Sequence, residues 1–153
     1  MGKGSFKEVK EMSNFISVKV EDNSKEFLEA FEKQVPVILE EWGLAGERFA
    51  KEEITKVVYD TPQSPTYKRT GRLRGSLTYK TQKNASKPQA PATGKDAVNG
   101  SVDNKSVIIG SNVEYAAYVE MGSSRMRPRP YLKPAIEGHK KEFEEILENN
   151  LTG

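Results

Sequence analysis

Apolar positions recur along this chain in two rhythms. In "FISVKVE", residues 15–21, Ile16, Val18 and Val20 alternate with Ser17 and Lys19, the period of two of a half-buried strand, and its shortness predicts an edge. After Asn23, a capping residue followed three positions later by Glu26, the period lengthens: Phe27, Phe31, Val35, Ile38, Leu39 and Trp42 fall three and four apart. The same rhythm continues through Ala45, Phe49, Ile54, Val57 and Val58, so the pattern predicts one long amphipathic helix ending near Tyr59. Pro36 inside it should kink or split the helix, and Gly43 and Gly46 should weaken its middle.

"DTPQSPTY", residues 60–67, is turn chemistry, and "RGSLTYKT", residues 74–81, reads as a strand with Leu77 and Tyr79 on one face. Residues 82–100 offer only Ala and Val as apolar types among Lys, Pro, Gly, Asn and Gln, which predicts a mobile hairpin loop. One or two further strands are expected around Val102 and Val107 to Ile109. "VEYAAYVEMG" then predicts a short helix closed by Gly122. From Tyr131, the apolar set Leu132, Ile136, His139, Phe143, Ile146, Leu147 and Leu151 predicts a single helix of roughly 30 Å to the end of the chain. No internal repeat is evident. The order predicts an α+β fold, a long bent N-terminal helix and a C-terminal helix packed on a small antiparallel β-sheet, in one domain over 1–153.

Composition narrows the chemistry. At 153 residues the chain can bury roughly 70% of its unfolded surface, yet 35% of it is hydrophobic and 30% charged, a lean core under a wide polar surface. The absence of cysteine removes disulfides and thiolate metal sites, and a single histidine disfavours zinc. His139 is the one imidazole available to a catalytic triad, and it lies on the apolar seam of the last predicted helix, where a packing role is favoured over general-base work. "TGRLRGS" lacks the spacing of a phosphate loop. Glu29, Glu32, Glu40, Glu41, Glu47, Glu52 and Glu53 alternate with lysines as a solvated face does. No catalytic residue, cofactor or metal is expected. No apolar run reaches the roughly 20 residues of a membrane span, "MGKGSFKEVK" lacks a signal-peptide core, and Phe6 breaks a myristoylation pattern, so a soluble protein without a membrane partner is expected.

Charge is distributed unevenly. "YKRTGRLR", residues 67–74, and "RMRPRPYLK", residues 125–133, hold eight cations and no acid, leaving the remainder of a chain of net charge +2 at −6. Three readings follow. The two segments could be solubilising loops, or a nucleic-acid contact in which cations meet phosphates and tyrosines stack on bases. The third is self-complementarity, in which the basic arm of one copy, stiffened by Pro128 and Pro130, docks on the acidic helices of the next. Residues 23–58 carry eight acids against five bases, and residues 134–153 five against two. Alternation would send Arg125, Arg127 and Arg129 to one side of the arm, with Tyr131 as its anchor. Gly71 and Gly122 suit positive-φ turns, Tyr115 and Tyr118 fall on adjacent faces of the short helix, and Glu120 is a candidate partner for one of the arginines.

"RTGRLRGSL", residues 69–77, followed by "VEYAAYVEMGSSRMRPRPYLKPA", residues 113–135, resembles the neck and tail-component family of long-tailed, lambda-like bacteriophages, described as head-tail joining or tail completion proteins. Its pattern joins a T-G-x-L-R turn, a Y-A-x-Y-V-E-x-G-[TS] segment and an R-P-[FY]-L-x-P-A arm. Here Thr70, Gly71, Leu73 and Arg74, then Tyr115, Ala116, Tyr118, Val119, Glu120, Gly122 and Ser123, then Arg129, Pro130, Tyr131, Leu132, Pro134 and Ala135 take those places. Met121 stands where the family commonly has an aromatic residue, and the first 22 residues are additional to the pattern. The resemblance implies a non-enzymatic virion protein, made in the host cytoplasm and placed in the neck as a homo-oligomeric ring. Its partners would be other neck and tail proteins, with DNA only passing through. The subunit or partner interface would draw on Arg72, Arg74, Glu120, Arg125, Arg127, Arg129, Tyr131 and Lys133. A small nucleic-acid-binding protein is the alternative.

Overall fold

A computed structural model describes residues 6–12, 15–20, 25–62, 69–84 and 86–152 of the chain. The architecture is mixed α+β and mostly helical. Strands β1 (Phe6–Met12) and β2 (Phe15–Val20) precede the long helix α1 (Lys25–Ile54), which runs on through a π-helical turn, Thr55–Tyr59. A short helix α2 (Arg72–Ser76) leads into β3 (Thr78–Lys80), and β4 (Ser106–Gly110) follows a long connection. Helices α3 (Ala116–Met121), α4 (Leu132–Glu137) and α5 (Lys140–Thr152) complete the fold. The sheet is antiparallel throughout, in the order β1-β2-β4-β3.

Helix α1 organises the core because it is buried on two sides. Trp42 is fully buried, donates its indole N–H to the Phe143 carbonyl at 2.8 Å and meets the Phe143 ring edge-on. Phe49 continues this side, edge-on to Phe143 and stacked on His139 with ring centroids 3.7 Å apart. Aromatic side chains at such depth each contribute roughly 1.5–3 kcal/mol by burial. His139 is therefore a packing residue whose Nδ1–H donates to the Ala135 carbonyl at 2.9 Å.

The other side of α1 carries the two glycines. A methyl on Gly43 would lie 2.3–2.9 Å from three atoms of the Tyr79 ring, and one on Gly46 would lie 2.2 Å from the tip of Ile109. These glycines thus leave room for a side chain of β3 and one of β4 against the helix, and the weakness they bring to α1 is exchanged for that contact. Tyr79 then donates its hydroxyl to Glu40 at 2.8 Å, and Thr81 and Asn84 also hydrogen-bond the same carboxylate. Burial together with this carboxylate pushes the Tyr79 hydroxyl up to about 12.

Several expectations are corrected. Pro36 neither splits nor ends the helix: it and Glu32, whose carbonyl loses its donor, are both exposed, so water can replace the missing N–H. The strand at 15–20 is not an edge, because β1 covers it on one side and β4 pairs on the other. The first three residues of the strand expected at 74–81 belong to helix α2, and of the one or two strands expected around Val102 and Val107 to Ile109 one forms, β4. The single C-terminal helix is two, interrupted at Gly138 and His139. The Asn23 cap and most of the 60–67 turn lie outside the described residues.

Residues 82–100 also differ from a free hairpin. Gln89 N–H donates to the Gly75 carbonyl at 2.8 Å, Val98 is buried, and a 3₁₀ turn at Gly94–Asp96 places Asp96 inside the protein. The backbone N–H of Asn112 reaches the Asp96 carbonyl at 3.0 Å, tying the segment to the end of β4.

Gly43→Ala tests the close approach. Alanine is worth about 1 kcal/mol more than glycine inside a helix, but overpacking against the Tyr79 ring costs roughly 1–3 kcal/mol. Urea unfolding is expected to show a net loss of stability, larger than for Gly46→Ala, where only a side-chain tip must move. A stabilised Gly43→Ala would show that the ring does not sit against the helix.

Candidate interaction surface

The two basic segments meet different fates. In the first, Arg69 lies at the end of α1, where unpaired carbonyls accumulate. Its guanidinium donates to the carbonyls of Tyr59 at 3.3 Å, Thr61 at 2.6 Å and Pro62 at 3.1 Å, closing the helix from outside its own backbone. Arg72 sits on the first turn of α2, after Gly71 at φ 78°, with Thr70 Oγ1 accepting the Arg72 backbone N–H at 3.3 Å. Its side chain makes a two-pronged contact with Asp96, 3.1 Å from Nε and 2.6 Å from Nη2, and a longer one with Glu114 at 3.2 and 3.3 Å.

Exposure decides which of these pairs matters. Asp96 is 1% exposed, whereas the Glu114 side chain is 73% exposed and solvent screens it. The Arg72 guanidinium, helped by the Thr93 backbone N–H at 2.9 Å, holds the Asp96 carboxyl below the usual carboxylate range. Arg74 lies over the Tyr59 ring, 4.5 Å from its centroid, and donates to Thr55 Oγ1 at 3.3 Å. Leu73, between them, is buried in the core. Arg72 and Arg74, expected at an interface, make these contacts within the chain's own fold, and Arg74 stays exposed; Lys68 lies outside the described residues.

The second segment is built differently. Helix α3 ends at Gly122, whose φ of 79° turns the chain where a Cβ would collide with Pro128 at 2.8 Å. Ser123 and Met126 then exchange backbone hydrogen bonds at 2.9 and 3.4 Å, closing a tight turn with Arg125 in it. The Arg129 N–H donates to the Val119 carbonyl at 2.7 Å. Glu120 completes the frame: its carboxylate accepts the backbone N–H groups of Tyr131 at 2.7 Å, Leu132 at 3.0 Å and Lys133 at 3.0 Å. It therefore caps the start of α4 and pairs with no arginine among the described residues.

Tyr131 is likewise internal. It is 1% exposed and donates its hydroxyl to the Ala116 carbonyl at 3.1 Å, and burial pushes its ionisation up. What it anchors is the arm to its own domain. Arg125, Arg127, Arg129 and Lys133 remain exposed, and none forms an ion pair among the described residues. Met126 is half-buried as alternation requires, but Pro128 and Pro130 are exposed. Tyr115 is half-buried near Arg72, while Tyr118 is 59% exposed beside Met121 at 72%. Asp96 and Glu114 escaped the sequence reading, since their partner Arg72 lies 24 and 42 residues away, and Arg69 was legible there only as charge.

Among the described residues, no group of three or more His, Asp or Glu side chains could hold a metal ion, and no helix is long and apolar enough to cross a membrane. No protein-family model matches the chain, and no curated protein or solved structure is similar enough to be matched.

Two outcomes are expected. Asp96 is bound in the folded state with a lowered pKa, so its contribution is present above the unfolded value of about 3.9 and is lost as pH falls through the folded one. Asp96→Asn should lower the melting temperature at pH 7 by about 5 °C or more and make the fall in stability below pH 4 shallower than in the parent. Glu120→Ala should cost about 1–2 kcal/mol, as loss of a helix cap does, with Glu120→Gln retaining part of it. An unchanged urea midpoint for Glu120→Ala would remove the carboxylate from the arm's support.

Proposed function

We propose that the protein is a structural, non-enzymatic component of a bacteriophage neck, a ring subunit that helps join the DNA-filled head to the tail. The observation that carries this reading is the union of two of the three motifs behind the family resemblance. Glu120 of "VEYAAYVEMG" binds the backbone of Tyr131, Leu132 and Lys133 in "RPYLKPA", and Tyr131 returns a hydrogen bond to Ala116. The paired motifs are thus one folded device whose product is a braced arm with its arginines outward, the form an assembly contact takes.

Its place in the particle is between head and tail, and its partners are copies of itself and neighbouring neck and tail proteins. The second reading, nucleic-acid contact, draws on the exposed Tyr118 on the helix that leads into the arm's cations.

The test is electron microscopy of a lysate from the parent phage carrying a nonsense codon in this reading frame. Filled heads and finished tails lying unjoined, or tails of aberrant length, are expected. Normal infectious particles would overturn the neck reading, and salt-sensitive retardation of duplex DNA by the purified protein would then support the second.

A further inference from the structure

We infer that the arm docks on the surface formed by the outer side of α5 and an adjoining stripe of α1 in a second copy of this chain. The inference rests on the self-association in the proposed function and names the two surfaces that would carry it.

The donor surface combines unpaired cations with apolar side chains. Arg125, Arg127, Arg129 and Lys133 have no carboxylate partner among the described residues, and the acid nearest Arg125 and Arg127 in sequence, Glu120, is engaged by backbone N–H groups. On the helix that leads into the arm, Tyr118 and Met121 are 59% and 72% exposed.

The receiving surface is its complement. Helix α5 turns Phe143 and Leu147 inward and leaves Glu142, Glu144, Glu145 and Glu148 exposed, with no ion pair among the described residues. Lys140 and Lys141 precede these acids, so negative charge grows toward the end of the helix. On α1, Val37 and Leu44 are 42% and 58% exposed and flank Glu41 at helical spacing, forming one stripe. Asn150 of α5 donates to the Glu41 carboxylate at 2.7 Å, which joins that stripe to α5. The four large apolar side chains exposed among the described residues thus divide two and two between the helix that leads into the basic arm and the α1 stripe joined to acidic α5, a stripe that ends in the exposed cations Lys33 and Arg48.

A chain with two complementary surfaces that do not satisfy one another internally is built to satisfy them between copies. Because the surfaces differ, the contact is heterologous and repeats head to tail, closing into a ring or growing as a filament. Arginine, tyrosine and methionine are the residues that such interfaces favour at their centres.

Charge exchange tests the contact in the full chain by sedimentation velocity at low and high salt. Arg125→Glu/Arg127→Glu/Arg129→Glu and Glu142→Lys/Glu145→Lys/Glu148→Lys should each raise the concentration needed for association by roughly tenfold or more. An equimolar mixture should associate as the parent does, since each altered surface then meets its opposite; Lys87→Glu, on an exposed residue outside both surfaces, should change nothing. All substitutions lie on exposed side chains, and circular dichroism verifies the fold. Association unaffected by either reversal, or not restored on mixing, overturns the docking while leaving the neck reading to the particle phenotype. A parent protein that stays monomeric at every concentration overturns it as well.

Discussion

The structure depends on a helix buried from two directions. Trp42 and Phe49 face the C-terminal helices, and Gly43 and Gly46, only one and four residues beyond Trp42, face the sheet. A single amphipathic stripe could not do this, because a helix with one apolar face has one layer to pack on. By removing side chains where strands approach and placing large rings where helices approach, α1 lets one chain of modest apolar content hold two layers together. The buried donor of Trp42 and the carboxylate of Glu40 then fix where each layer lies along the helix, which area burial alone would leave loose.

Electrostatics divides the same way, between groups that finish the fold and groups left to solvent. Arg69 serves carbonyls, Arg72 serves a buried carboxylate and Arg74 an aromatic face, all within one short run of sequence. Arg72 shows why exposure outweighs distance. Its contact with buried Asp96 determines how the 82–100 segment is moored, whereas its contact with Glu114, a few tenths of an ångström longer, lies in water.

What the sequence makes legible follows from how local each determinant is. The period of α1, the helix at 116–121 and its glycine stop are local, and they are readable. Strand β1 is not: its apolar residues Phe6, Val9 and Met12 stand three apart, and the bulge between Phe6 and Glu8 breaks the parity that a period-two reading needs. The moored path of residues 82–100 escaped because composition registers hydrophobicity, while the mooring draws on backbone hydrogen bonds such as that from Gln89 to Gly75 and on an aspartate whose partner lies 24 residues away. The basic runs were legible as charge and illegible as roles, since whether an arginine is outward or engaged is a tertiary fact. Of the expected surface, Arg74, Arg125, Arg127, Arg129 and Lys133 stand exposed, whereas Arg72, Glu120 and Tyr131 are engaged within the fold.

Glu120 shows how the scaffold and the exposed arm are linked. A carboxylate five residues from Arg125 and nine from Arg129 is the natural local counter-ion for either, and a flexible loop would bring them together. Here the carboxylate is given to three backbone N–H groups at the start of α4, where the helix end is electropositive and its donors have no partners within the helix. That choice stiffens the arm and leaves its cations unneutralised at the same time. Tyr131 adds to the effect, since burying its ring and satisfying its hydroxyl on Ala116 fixes the far end of the arm against the helix that begins it. A turn held at both ends loses little conformational freedom when something binds it, so its uncompensated charge is available for association with a small entropic cost.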